Sequence, residues 1–416
     1  MQENKEFLRE QTEARELRVE GGGRMSLVQK VWQRTSQFLP VDGFHFDRPI
    51  LIFQSDDWGR VGLRDREGFE ELKAAGLELG EQPYDLYTLE TAEDLAALRA
   101  TLSGHRDSSG RPPCVQMNFV VANLDFEKMR ASGFQQIELL PLVDGLPGRW
   151  VRPGLIEGYR NGIGEGVFRP ELHGITHFCR AAVDRNLKAG GERAEALRVL
   201  WKSDTPYLYW RMPWIGFEYW DGEQPSAERF LGAETQQQLI GQTVGMFVRL
   251  FNMLPRSACA PGFRANRDTH LAWAQHGVRI AQNGPGKLVP PHLDHHEMLH
   301  LTRNVDFEPG ANRSFSLDSC LSQADTCFKL GIPAVVSMHS INFHSTVRDF
   351  RSPTLEVLNQ FLNVLESRHP NLLYLHDYDL HELITKGSYR GADGRAETKV
   401  LRKKFLKATA QRLSRA

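Results

Sequence analysis

Short apolar runs separated by helix-length segments recur through most of the chain, and this alternation limits the fold more than any other feature. The runs are "ILIFQS" (50–55), "CVQMNFVVAN" (114–123), "RIAQN" (279–283), "PAVVSMHS" (333–340) and "LLYLHDYD" (372–379). Between them lie helical patterns such as "TAEDLAALRATL" (91–102), "FCRAAVDRNLKAG" (178–190), "ETQQQLIGQTVGMFVRLF" (234–251) and "SPTLEVLNQFLNVLESR" (352–368). Strands that alternate with helices of this length build a parallel α/β sheet or barrel. The expected organisation is a charged extension over residues 1–43, one barrel domain with insertions over 44–390, and a basic tail over 391–416. No internal repeat is visible.

A chain of 416 residues suffices for one large barrel, and its formal net charge of −1 provides no overall field to attract nucleic acid. The five cysteines (Cys114, Cys179, Cys259, Cys320, Cys327) are scattered with no C-x-x-C pair, which argues against a disulfide framework or a thiolate zinc site and suits a reducing compartment. The opening "MQENKEFLREQTEARELRVEGGGR" has no apolar core of a secretory signal, and no run approaches the roughly 18 apolar residues of a membrane span. A cytoplasmic protein is expected. The segment 394–416 carries eight Lys/Arg against one Glu. It reads as a disordered basic tail, with a peripheral membrane helix presenting Leu401, Phe405 and Ala408 as the alternative.

Where an α/β barrel strand ends, reactive side chains collect. The first apolar run stops at adjacent acids, Asp56 and Asp57, followed by Trp58. A buried carboxylate is costly unless it is paired or binds a metal. "FRPELHGITH" then places His173 and His177 four apart just before a helix, "APGFRANR" puts Arg264 in a Pro/Gly loop, and "AVVSMHS" ends an apolar run at His339. No single one of these is specific, since chance alone supplies roughly 0.5 H-x-x-x-H pairs in such a chain. Together, one carboxylate and two imidazoles make a three-ligand site with an open position, the arrangement of a hydrolytic metal. A second carboxylate beside it is placed to take a proton from the attacking water, and a separate His to protonate a leaving group.

The order S-D-D, H-x-x-x-H, loop Arg, strand-end His resembles the polysaccharide deacetylase superfamily (carbohydrate esterases of family four), in a large, divergent form. The resemblance implies a distorted (β/α)7 barrel and one divalent metal ion, zinc by its donors. It makes Asp56 the general base, Asp57, His173 and His177 the metal ligands, Arg264 the residue that holds the base, and His339 the general acid. The implied reaction removes an acyl group, an N-acetyl above all, from a carbohydrate or glycan precursor. A retired glycan-binding barrel and a hydrolase of another amide or glycosidic bond are the alternatives. The gap from Asp57 to His173 predicts a large insertion over 60–165, and "GFRAN" stands where the family has Arg-x-Pro-aromatic.

A rival spelling, His296-Glu297-x-x-His300, is that of a zinc protease, but it requires a helix. The following "LHLTRNVDF" alternates as a strand does, so a His-rich loop is expected instead. The segment "WKSDTPYLYWRMPWIGFEYW" (201–220) holds four of the eight tryptophans. With Trp58, its Trp210 and Trp214 are candidates for stacking on sugar rings. The sugar, the acyl group and the oligomeric state stay open at this point.

Overall fold

The computed structural model describes residues 40–80, 82–208, 211–286, 288–389 and 398–406. Seven parallel strands form its centre: β1 (Ile50–Trp58), β2 (Val115–Val120), β3 (Phe168–Gly174), β4 (Ser257–Cys259), β5 (Ile280–Asn283), β6 (Leu299–Thr302) and β7 (Ala334–His339). They neighbour one another in the order β7-β1-β2-β3-β4-β5-β6. The segment that holds β6 brings the two ends together. Leu299–Thr302 pairs with β5, and a few residues later Val305–Asp306 pairs with β7. The sheet thereby curls into the barrel that the strand–helix alternation predicts.

The strands are buried on both faces, as parallel strands are when helices cover the outside. All nine residues of β1 are buried. Its Leu51 and Phe53 share the outer core with Leu98, Phe247 and Phe361 of the helices Ala92–Ser103, Ala233–Phe251 and Arg351–Arg368. Ile50 and Ile52, of the opposite parity, meet Ile280, Leu299, Leu301, Val335 and Leu373 in a separate apolar floor inside the barrel. Above that floor the interior turns polar: Gln54, Gln116, Gln282 and Ser257 all converge on the buried Asp377 carboxylate. Polar residues at inward positions are affordable only because each finds a partner there.

The stretch 60–165 is not a single insertion. It supplies β2, the helices Arg66–Ala74, Ala92–Ser103 and Leu155–Gly164, and a small hairpin of Ala122–Leu124 with Leu139–Pro141. The C-terminal expectation also needs correction. Within 394–416, Val400–Leu406 is a strand antiparallel to Pro40–Phe46, where a disordered tail or an amphipathic helix was expected. Leu401 there is 46% exposed. Residues 407–416, like most of the 1–43 extension, lie outside the described residues. Among the described residues no helix is long and apolar enough to cross a membrane. All five cysteines are free thiols.

Candidate metal centre and active site

Adjacent residues of a regular strand point to opposite faces, so Asp56 and Asp57 should not share a site. A bulge solves this. Ser55 pairs with Met117 and Trp58 with Phe119, so β1 spends one residue more than β2 over the same span. The extra step is taken at Asp57, whose φ is 75°. This left-handed conformation costs on the order of 1–3 kcal/mol outside glycine, and Asp tolerates it better than most residues. The Asp57 carbonyl is held there by the Tyr87 hydroxyl at 2.7 Å and the Ser340 hydroxyl at 3.3 Å. Gly59 continues the turn at φ 73°, where a Cβ would meet Leu142 Cδ2 at 2.6 Å. The bend re-aims both carboxylates at the mouth of the barrel.

Asp57 divides its oxygens. Oδ2 accepts from Arg60 Nη2 at 3.0 Å, and Arg60 is buried over the Tyr87 ring at 3.9 Å, with Nη1 donating to the Tyr207 hydroxyl. Oδ1 faces His173 Nε2 at 3.6 Å and His177 Nε2 at 3.4 Å. His173 sits on β3, and His177 follows three residues beyond that strand's end. His173 Nδ1 lies 2.9 Å from the Cys259 carbonyl, which can only accept, so Nδ1 carries the proton and Nε2 presents its lone pair to Asp57.

The donors fit a metal ion. Asp57 Oδ1 and His173 Nε2 are buried with no hydrogen-bond partner among the described residues. Leaving such groups bare costs about 1–3 kcal/mol each. Donors about 2.0–2.2 Å from a tetrahedral ion stand roughly 3.4 Å apart, in line with the separations here. Burial holds His177 down at about 3, so its imidazole is neutral and able to ligate. Burial opposes ionisation of Asp57, but the Arg60 guanidinium outweighs it and keeps the carboxyl well below the usual range. A second grouping of Asp56, His173 and Cys259 is less suited. Burial pushes the Cys259 thiol well up, and Asp56 already has strong partners.

Those partners are the principal correction to the sequence reading. The arginine that clasps Asp56 is Arg303, with Nη2 donating to Oδ1 at 2.6 Å and Nη1 to Oδ2 at 2.8 Å. Asn118 Nδ2 donates to Oδ1 at 2.6 Å. Burial opposes the Asp56 charge, but Arg303 holds the carboxyl far below its ordinary value. Arg264, expected in that role, instead carries its guanidinium 4.7 Å from the centre of the Trp220 ring. Its loop follows β4, whereas Arg303 comes directly after β6 and continues the inward parity of Leu299 and Leu301. A charged residue continuing an apolar inward stripe was the signal available in the sequence.

His339 ends β7 with Nε2 3.9 Å from Asp56 Oδ2. Its Nδ1 donates to Glu308 Oε1 at 2.6 Å, and Glu308 Oε2 accepts from Asn342 at 2.6 Å. Burial works against the imidazolium, yet the Glu308 carboxylate prevails and lifts His339 to about 9. Neither Glu308 nor Arg60 was picked out from the sequence.

The proposed sugar-stacking residues fare differently. Trp58 is fully buried, stacks on Phe343 and donates to Ser55 Oγ at 2.9 Å, so it is core. Trp214 is buried with Arg193 over its ring at 5.1 Å. Trp210 lies outside the described residues. The half-buried rings beside the site are Tyr84, edge-on to His339 at 6.3 Å, and Phe217, edge-on to His177 at 5.7 Å. Glu297 is exposed in a turn at φ 59°, so His296 and His300 do not share the helix that a zinc protease requires.

Fold and site together define a seven-stranded α/β barrel whose mouth gathers an Asp-His-His triad, a clasped Asp and an acid-paired His. No family model matches the sequence, and no curated protein does. Solved structures similar to it include carbohydrate esterases, deacetylases and an allantoinase. One, from Mycobacterium smegmatis and described as a polysaccharide deacetylase, is 11% identical over 81% of this chain and 90% of its own, with a TM-score of 0.41. A family 4 carbohydrate esterase from Streptomyces lividans, in complex with acetate, is 12% identical over 78% and 90%, with a TM-score of 0.31. An allantoinase is 10% identical over 81% and 91%, with a TM-score of 0.40.

Proposed function

We propose that the protein is a metal-dependent hydrolase that removes an acyl group, an N-acetyl in the first instance, from a carbohydrate or glycan precursor. The observation that carries this reading is the juxtaposition of Asp57, His173 and His177 with a clasped carboxylate and a charged imidazole 3.9 Å from each other. Asp57, His173 and His177 would hold a divalent ion, zinc by donor type, which when bound supplies Lewis-acid polarisation of the acyl carbonyl.

The chain's own groups do the rest. Arg303 and Asn118 fix Asp56 in its ionised form and aim it at the mouth, where it accepts the proton of the attacking water. His339, kept protonated at neutral pH by Glu308, donates from Nε2 to the departing nitrogen. Glu308 accepts from Nδ1, so the proton available for transfer is the one on Nε2, on the side of Asp56. Arg60 binds the other oxygen of Asp57 and prevents it from turning away from the two imidazoles. Tyr84 and Phe217 offer aromatic edges and faces for a sugar ring, in place of Trp58 and Trp214.

The test is acetate and free-amine release by the zinc-loaded protein from a panel of N-acetylated mono- and oligosaccharides. Release that stops on chelation and returns with zinc is expected. Stoichiometric zinc with no acyl release from any member would favour a barrel that only binds glycans.

A further inference from the structure

A second cluster of metal-ligating side chains, sharing no residue with the site at the mouth, gathers on the outer side of β6. His292–Leu293 and β6 form an antiparallel hairpin, with His292 directly opposite His300. The hairpin's turn carries Asp294. The helix Arg267–Gln275, capped by Asn266 on Thr269 N at 3.0 Å, brings His270 against it. Donor atoms of His270, Asp294 and His300 all lie within 4.8 Å of one another.

The geometry points to a second divalent metal site, formed by His270, Asp294 and His300 and suited to zinc, that clamps the hairpin to this helix. Two imidazoles and a carboxylate are donors of that chemistry. Asp294 Oδ1 is already used, accepting from His296 N at 2.8 Å and Met298 N at 3.0 Å, which leaves Oδ2 pointing at His300. Oδ2 and His300 Nε2 meet at 3.4 Å, a long hydrogen bond whose separation equals the edge of a tetrahedral zinc site. Both side chains are partly open to solvent, at 17% and 12% exposure, so an ion can enter. In the same turn His296 keeps a buried Nε2 with no hydrogen-bond partner among the described residues, but it is not one of the three donors that lie within 4.8 Å of one another.

The clamp has a consequence for the mouth. His300 lies on the outer face of β6, and Arg303, which holds Asp56, follows directly after that strand ends at Thr302. An ion at His270, Asp294 and His300 fixes the strand that delivers Arg303.

The experiment counts zinc by native mass spectrometry on the full chain. It uses the wild type, the His173→Ala/His177→Ala variant, and that variant further carrying His270→Ala and His300→Ala. About one zinc is expected to remain in the second protein and none in the third. Asp294→Asn in the same background, which keeps the acceptor for the two backbone N–H groups, should lose the ion without unfolding, as checked by circular dichroism. A higher Tm with zinc in the His173→Ala/His177→Ala protein, absent after Asp294→Asn, is the second expected readout. No zinc in the His173→Ala/His177→Ala protein, or zinc retained by both Asp294→Asn and the quadruple variant, overturns the second site. Failure of the triad at the mouth would show separately, as an equal zinc count in the wild type and the His173→Ala/His177→Ala variant.

Discussion

Glu308→Gln isolates the proposed acid. Glu308 receives the Nδ1 proton of His339 at 2.6 Å and is the main reason that the imidazole rises from 6.5 to about 9 against the burial that lowers it. Glutamine keeps the length and an acceptor oxygen but removes the charge, so His339 should fall back to its ordinary value or below. A general acid must be protonated, so kcat/KM falls on the alkaline side as its proton is lost. Loss of the Glu308 charge should move that limb down by about 2.5 pH units, or roughly 3 kcal/mol of lost preference for the imidazolium. Near pH 8.5 the wild type would still be mostly protonated and the variant about 1% so, a fall in rate on the order of 100-fold. At pH 6 the two should differ little. A bound cation would lower the limb in both proteins, so the difference between the profiles is the quantity to read from acetate release between pH 5 and 10. An alkaline limb unmoved by the substitution would refute the assignment of His339 as the acid.

The same pair makes stability pH-dependent. Because the folded pKa of His339 lies above its unfolded value, its contribution of about 3 kcal/mol is complete below pH 6.5 and is lost as pH rises through 9. Denaturant titration of the metal-free protein should show this decline, and Glu308→Gln should flatten it. Arg303→Met strips a buried carboxylate of its counter-charge, a loss of about 3–5 kcal/mol, whereas Arg264→Ala should cost far less stability and leave Asp56 held; paired melts compare them. Trp58→Ala should destabilise by about 3–5 kcal/mol through the cavity beneath Phe343, as a core tryptophan does. Glu297→Gln, exposed in its turn, should leave both zinc content and turnover near wild type.

The grouping of Asp57, His173 and His177 was readable because its three members sit at or just beyond strand ends, where an apolar run stopping at Asp or His is visible in one dimension. The way Asp56 and Asp57 reach one site was not readable. It depends on a one-residue bulge and a positive φ at Asp57, and nothing in "QSDDWGR" marks the residue that bends, although Gly59 hints at the turn. Arg303 was missed for a reason of parity. The segment 299–306 closes the barrel by serving two neighbours, so which side chains face inward is settled only by pairing with β5 and β7. Trp58 was misjudged because following a site in sequence says nothing of direction. Beyond the bulge its ring turns outward to Phe343. The basic C-terminal segment shows the limit of pattern alone. "VLRKKFL" is compatible with a helix or a strand, and pairing with Pro40–Phe46, some 360 residues away, selects the strand.

In the proposed function, Asp56 acts as the base beside a metal held by Asp57, His173 and His177. The most direct test is the rate of acetate release by Asp56→Asn at zinc content equal to wild type. Asparagine cannot take the proton, and positioned proton transfer is worth about 10²–10⁴-fold. A fall of that order is expected with zinc still bound. A zinc-loaded Asp56→Asn protein that works within about threefold of wild type would contradict it.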